Sequence, residues 1–269
     1  QTVAMLPWRV MQETPSGGVL SPTHRVDWLI RKRPAPEWSS FQWRETLTHW
    51  ALRWGNGYAE IERDGRGRPA ALHLLSPDRV EPARLDSGRL VYRVRQSGGD
   101  MVTLAPSDIF HLKGLSFDGL RGYSVLEVGA RSLGIGMAMD EFSARYFSNG
   151  MRPAGFVKTK GKLNADGLKT FNEMMAAHWT GLKNFHKAIP LDADMEWEPM
   201  GSNLDEAQFV DMRKLSVVEI CRWFGVPPHM VYDLDRSTNN NIESQGRDFL
   251  TYGLLPRIIP LEQEADRKL

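Results

Sequence analysis

Apolar and polar positions follow two different periods along this chain, and the change of period divides it. From about Val26 to Trp54 the pattern is helical with breaks. Asp27-Trp28-Leu29-Ile30 precedes Pro34 and Pro36, and Ser39-Ser40 then offers N-cap oxygens to a run carrying Phe41, Glu45, Leu47, Trp50 and Leu52. From Tyr58 the period falls to two. Tyr58-Ala59-Glu60-Ile61-Glu62 leads into Asp64-Gly65, two residues that tolerate positive φ and so predict a hairpin, and Ala70-Ala71-Leu72-His73-Leu74 returns. Leu90 to Arg95, Met101 to Leu104 and Ile109 to Leu112 read as three further short strands, so the region from about 55 to 113 is expected to form one small antiparallel sheet.

The helical period resumes after Gly119-Leu120-Arg121-Gly122-Tyr123. Ser124 reads as an N-cap, and one long helix is expected from Ser124 to Ser148, where Asn149-Gly150 stops it. Its apolar residues form two stripes, Val125, Val128, Ile135, Met139, Phe142, Tyr146 and Leu126, Ala130, Leu133, Met137, Ala144, Phe147. Two stripes imply burial on more than one side, either inside a large core or against a neighbouring subunit. Between Gly150 and Asn203 the order is strand, helix, strand: Gly155-Phe156-Val157, then a helix capped by Asn164 with Leu168, Phe171 and Met175, then an extended return from Lys187 to Trp197. Ser202-Asn203-Leu204-Asp205 has capping-box spacing and opens a second long helix over Leu204 to Phe224, ended by Gly225-Val226-Pro227-Pro228. A polar loop through Asn241 follows, and a last helix opens at Ile242-Glu243-Ser244-Gln245.

At 269 residues with 41% hydrophobic and 25% charged positions, the chain has the balance of a globular protein of one or two domains. The formal net charge of +1 excludes a general nucleic-acid-coating role, which needs a large positive excess, so any DNA contact is local. Cys221 stands alone and reads as a small core residue on the apolar stripe of Val217, Ile220 and Phe224. No apolar run reaches the ~18–20 residues that span a bilayer. Gln1-Thr2-Val3-Ala4-Met5 has neither an initiator Met nor a signal-peptide pattern, and the chain is expected to be a soluble fragment of a protein that continues beyond both ends.

Catalytic constellations fail on spacing. Five residues separate Gly155 from Gly161-Lys162 where a phosphate loop needs four, and Leu163 stands where a magnesium-binding hydroxyl is required. Gly65-Arg66-Gly67 lacks the third glycine of a dinucleotide fingerprint. The histidines at 24, 49, 73, 111, 178, 186 and 229 show no metal-ligand spacing, and no Gly-x-Ser-x-Gly elbow surrounds Ser124. The expectation is no catalytic residue, no metal and no cofactor. Charge is distributed more tellingly. Residues 150–190 carry seven bases (Arg152, Lys158, Lys160, Lys162, Lys169, Lys183, Lys187) against Asp166 and Glu173, while residues 191–211 carry seven acids and no base. Opposite patches side by side suit head-to-tail association between copies of one chain, with a solvated surface as the plain alternative.

Four motifs taken together, Arg33-Pro34-Ala35-Pro36, Trp54-Gly55-Asn56-Gly57-Tyr58, Phe147-Ser148-Asn149-Gly150-Met151-Arg152-Pro153-Ala154-Gly155 and Gly225-Val226-Pro227-Pro228-His229 with the asparagine-rich loop after it, make the chain resemble portal proteins of tailed bacteriophages of the HK97 type. The resemblance implies an α+β portal fold with a β-rich wing (1–123), paired long stem helices (124–149 and 204–228), a small α/β clip between them (150–203), a tunnel loop (229–241) and the start of a helix leading towards an absent crown (242–269). Ala35 stands where the family usually has Asn. The resemblance further implies a homo-oligomeric ring, usually of twelve subunits, at one capsid vertex of the virion, assembled in the host bacterial cytoplasm. Its channel would pass double-stranded DNA without sequence specificity. It would dock the packaging terminase and the capsid and head-tail adaptor proteins, with no membrane. On this reading Asp235, Arg236, Ser237, Thr238, Asn239, Asn240 and Asn241 line the channel, and Lys158, Lys160, Lys162, Glu196 and Glu198 meet across clip interfaces. The alternatives are an enzyme with a cleft between the β-rich and helical halves, or a monomeric scaffold or adaptor.

Overall fold

The computed structural model describes residues 1–148, 155–159, 164–178, 195–199, 206–234 and 239–269. Two compact units divide the chain, one formed by Gln1–Ala130 with Cys221–Leu269 and the other by Arg131–Ile220.

The first unit opens with a short helix α1 (Thr2–Met5), an exposed hairpin β1 (Met11–Thr14) and β2 (Gly17–Leu20), and helices α2 (Arg25–Arg31) and α3 (Ser40–Trp54). Ser39 caps α3 by accepting the Gln42 N–H, while Ser40 instead turns inward and donates to the Ile30 carbonyl. Strands β3 (Asn56–Arg63), β4 (Pro69–Leu75), β5 (Val80–Arg84), β6 (Leu90–Arg95), β7 (Met101–Leu104) and β8 (Ile109–Lys113) follow. They form two three-stranded antiparallel sheets, β4-β3-β8 and β5-β6-β7, where the sequence pattern predicts one. The reason lies in β3, which is the central strand and has apolar residues on both faces. Ala59 and Ile61 join Trp43, Leu47, Leu72, Phe110 and Leu261 in one core, and Tyr58 points to the other side, into a second core with Leu75, Val80, Tyr92, Val94 and Ile109. A second layer is needed to cover that face. Trp43 centres the first core: its Nε1 donates to the Leu72 carbonyl at 2.9 Å, and its ring lies between Trp8 and Phe110.

The β3–β4 turn corrects the hairpin expectation in detail. Positive φ falls on Gly67 (75°) and not on Asp64 or Gly65, because the Asp64 carboxylate accepts the N–H groups of Arg66 and Arg68 and draws the turn around itself.

The expected helix from Ser124 to Ser148 is interrupted at Gly129, giving α4 (Val125–Val128) and α5 (Ala130–Ser148), with Ser124 capping α4 through the Glu127 N–H at 3.2 Å. A side chain at Gly129 would lie 3.2 Å from the Trp223 indole, so the break marks a close approach of that ring. Helix α7 (Glu206–Phe224) ends at Gly225, which adopts φ 55°. The last helix begins three residues earlier than expected: α8 spans Asn239–Asp248 and passes through a π turn at Phe249–Leu254 into α9 (Leu255–Lys268). The widened turn has a local cause. Pro256 has no N–H to give to the Tyr252 carbonyl, and the Leu255 N–H reaches back five residues to Leu250.

In the second unit β9 (Gly155–Thr159) pairs antiparallel with β10 (Met195–Pro199), and α6 (Ala165–His178) is capped by Asn164, whose Oδ1 accepts the Gly167 N–H at 2.8 Å. The capping box at Ser202 to Asp205 and the extended return before Met195 lie outside the described residues.

Candidate channel and assembly surfaces

The motif Gly55-Asn56-Gly57 packs backbone against backbone. Gly55 ends α3 in a left-handed conformation (φ 78°), and a Cβ there would sit 2.3 Å from the Gly122 carbonyl oxygen; a Cβ on Gly122 would sit 2.0 Å from that of Gly55. Gly57 is equally constrained, since its Cβ would meet the Leu47 carbonyl oxygen at 2.5 Å. Only glycine lets α3, β3 and the turn before Ser124 converge this closely.

Asn56 occupies the centre of this convergence and starts a buried polar node. Its Oδ1 accepts the Gly122 N–H at 2.7 Å and lies 3.0 Å from His111 Nε2, while the other ring nitrogen of His111 is 3.0 Å from the Tyr92 hydroxyl. The ring of His111 stacks 4.3 Å from that of Tyr58. Because β8 is an edge strand, the backbone N–H of His111 points out of the sheet, and Glu264 of α9 accepts it at 3.1 Å. Glu264 is itself buried and is paired with Arg267. Burial, reinforced by Lys113, Lys268 and Arg267, holds the His111 imidazole well below its ordinary pKa. Burial also pushes the Tyr92 phenol up to about 12, with Glu264 adding to it. The node is a lock between the two sheets and the last helix. No spacing motif announces it, because its members come from positions 56, 92, 111 and 264.

The residues expected at subunit contacts divide in two. Lys158 lies on β9 and Glu196 and Glu198 on β10, all exposed. Lys158 registers opposite Glu196, and its ammonium group pairs diagonally with Glu198 of the same chain. Lys160 and Lys162 lie outside the described residues, as do Asp235, Arg236, Ser237 and Thr238 of the expected channel loop. Asn239, Asn240 and Asn241 fall in the first turn of α8 and not in a loop. Cys221 is 6% exposed, and burial, followed by the charge of Asp233, raises its thiol pKa.

Large apolar side chains remain exposed on the long helices: Ile135 and Met137 on α5 are 52% and 73% exposed, and Met212 and Leu215 on α7 are 45% and 54% exposed. Among the described residues no helix is long and apolar enough to cross a membrane.

Solved structures share this architecture. A portal protein of the HK97 family from Corynebacterium diphtheriae superposes with a TM-score of 0.69 over 98% of this chain and 83% of that one, at 16% identity. A chain from the neck of an empty gene transfer agent particle, computed with C6 symmetry, gives a TM-score of 0.68 over 99% of this chain and 75% of that one, at 24% identity. The fold is the α+β portal fold.

The phage portal protein family model matches residues 1–269, and the chain belongs to that family. It is 30% identical to the portal protein of Enterobacteria phage HK97 over 90% of this chain and 57% of the relative, and 28% identical to the probable portal protein of Streptomyces phage phiC31 over 66% of this chain and 40% of the relative. The chain thus spans about half the length of these curated relatives. The family is a structural one and not a family of enzymes.

Proposed function

We propose that this chain is the subunit of a portal ring, one of about twelve copies around a channel for double-stranded DNA at a capsid vertex. The ring would assemble in the host bacterial cytoplasm and dock the packaging terminase, the capsid and the head-tail adaptor. The observation that carries the reading is the family match along the whole of residues 1–269. A relative of the same fold comes from a particle neck computed with C12 symmetry, which supports the copy number.

Physical features support the same reading. Ile135, Met137, Met212 and Leu215 expose apolar surface that a monomer leaves in water and that flanking subunits would cover. A net charge of +1 suits a channel through which DNA slides, since a strongly basic lining releases many counterions and holds the duplex. In this assignment residues 1–123 form the wing, α5 and α7 the stem, β9, α6 and β10 the clip, and residues 235–238 the part of the tunnel loop nearest DNA. Arg236 is the one base there, next to Asp235, so the loop grazes the duplex without gripping it. Excising residues 235–238 in the phage tests the channel role. Rings should still form while DNA packaging or retention falls; normal packaging and retention would remove the role from this loop.

A further inference from the structure

The exposed hairpin of β1 and β2 carries an apolar pair and an acid on one face. Met11 registers opposite Leu20 and Glu13 opposite Gly18, and because cross-strand partners and alternate residues share a face, Met11, Leu20 and Glu13 stand on the same side. Met11 and Leu20 are each 51% exposed. Glu13 is exposed as well, pairs with no cation among the described residues, and is the one charged residue from 11 to 20. Each strand packs on the other and at most weakly on any further element. A two-stranded hairpin has little stability of its own in water, so this one gains from a surface that covers it.

A cavity of about 550 Å³ in the same unit has the complementary character. Leu52, Leu115, Val128, Trp223, Pro256 and Pro260 give it apolar walls, and the charged side chains on its lining are the cations Lys113 and Arg257. Lys113 donates to the Gly119 carbonyl at 2.8 Å and Arg257 to that of Phe224, and neither pairs with a carboxylate among the described residues. Burial lowers the Arg257 pKa, as it does for a guanidinium that no nearby carboxylate supports. Thr48 lines the cavity too, and its Oγ1 is buried without a hydrogen-bond partner among the described residues. An apolar cleft with two such cations and an unpaired hydroxyl suits an apolar group that brings a carboxylate and further polar atoms.

Hairpin and cavity lie at opposite ends of β3. The base of the hairpin is tied to the end where α3 starts and β3 finishes: the Val10 N–H donates to Asp27, Trp8 stacks on Trp43, and Arg25 pairs with Asp64 in the β3–β4 turn. The cavity is at the other end, on Ala51 and Leu52 late in α3, on Lys113, which registers opposite Asn56 at the start of β3, and on Gly114, whose N–H donates to the Gly55 carbonyl. At ~3.3 Å per residue β3 separates these ends by roughly 25 Å, further than strands of four residues reach. No hairpin residue lines the cavity of its own chain.

We infer that the β1–β2 hairpin of one copy docks into this cavity on the next copy, with Met11 and Leu20 against Leu115, Val128 and Trp223 and the Glu13 charge towards Lys113 and Arg257. A knob at one end of a unit and a socket at the other is the relation a head-to-tail ring repeats from subunit to subunit. A second copy is the occupant because its hairpin matches the apolar walls with an apolar pair and the two cations with its single acid. The inference rests on the ring reading above.

The test uses two variants of the whole chain, Leu20→Cys and Leu115→Cys, mixed and treated with a short bis-maleimide; the wild type, with buried Cys221, is the control. The mixture should give a cross-linked dimer that neither variant forms alone. Rings by electron microscopy without that dimer would overturn the inference and leave the ring reading standing, whereas absence of rings in the wild type would overturn both. In addition, Glu13→Lys sets a third cation against Lys113 and Arg257. It should raise the concentration for half-assembly by about tenfold at low salt and by less as salt rises, with thermal unfolding of the monomer unchanged. Unaltered assembly of that variant would count equally against the contact.

Discussion

Asn56 accepts a hydrogen bond from His111, and the direction of that bond is fixed by backbone groups. Oδ1 of Asn56 also accepts the Gly122 N–H, and its amide nitrogen donates to the carbonyls of Trp54 and Gly122, so the amide cannot be turned the other way. Nε2 of His111 must therefore donate, and because burial keeps the ring neutral, Nδ1 accepts from the Tyr92 hydroxyl.

A neutral buried imidazole makes stability depend on pH with a definite sign. The folded pKa of His111 is depressed, so between that value and the ordinary value near 6.5 the unfolded chain binds the proton and the folded chain does not. The contribution is complete above about 6.5 and declines as pH falls towards the folded pKa. Denaturant unfolding from pH 7.5 down to 5 should show this decline, and His111→Gln should flatten it. An equal slope in both proteins would show that His111 is not the titrating group.

Gly122→Ala should be among the most damaging small substitutions in the first unit. Its methyl would meet the Gly55 carbonyl oxygen at 2.0 Å and the Gly114 nitrogen at 2.6 Å, both backbone atoms that no side-chain rotation can relieve. The expected loss is about 1–3 kcal/mol or more, of the size that overpacking costs in rigid interiors. Thermal unfolding measures it, with Gly65→Ala as the comparison, since nothing lies within 4 Å of a Cβ there.

Charge on and around β9 and β10 should govern assembly more than stability. The Lys158–Glu198 pair within one chain is exposed, and such pairs contribute ~0–1 kcal/mol. Reversal of Lys158, Lys160 and Lys162 to Glu should leave unfolding within that range and weaken assembly, most at low salt. Mixing this protein with one carrying Glu196→Lys and Glu198→Lys separates contacts between chains from those within one: mixed assembly should exceed that of either alone. No effect of the charge reversals on assembly would show that these surfaces face solvent.

Much of the β-rich part of the first unit is legible in the sequence because period-two strands bounded by glycine and proline turns report their own faces, as at Leu90 to Arg95 and Ile109 to Lys113. Strand β5 is not legible, since Pro82 interrupts its pattern; the fold tolerates that proline because β5 is an edge strand. Gly129 and Gly122 are silent for another reason. Their meaning is a close approach of distant groups, Trp223 in one case and Gly55 in the other, which local spacing does not encode. The same holds for the node of Asn56, Tyr92, His111 and Glu264. Tyr232 reads as the opening of the polar loop, and its left-handed backbone is not legible in the sequence.

Electron microscopy of the purified protein tests the portal-ring account most directly. Closed rings of one cyclic symmetry with an open axial channel are expected. Dispersed monomers across the accessible range of concentration and salt would contradict it.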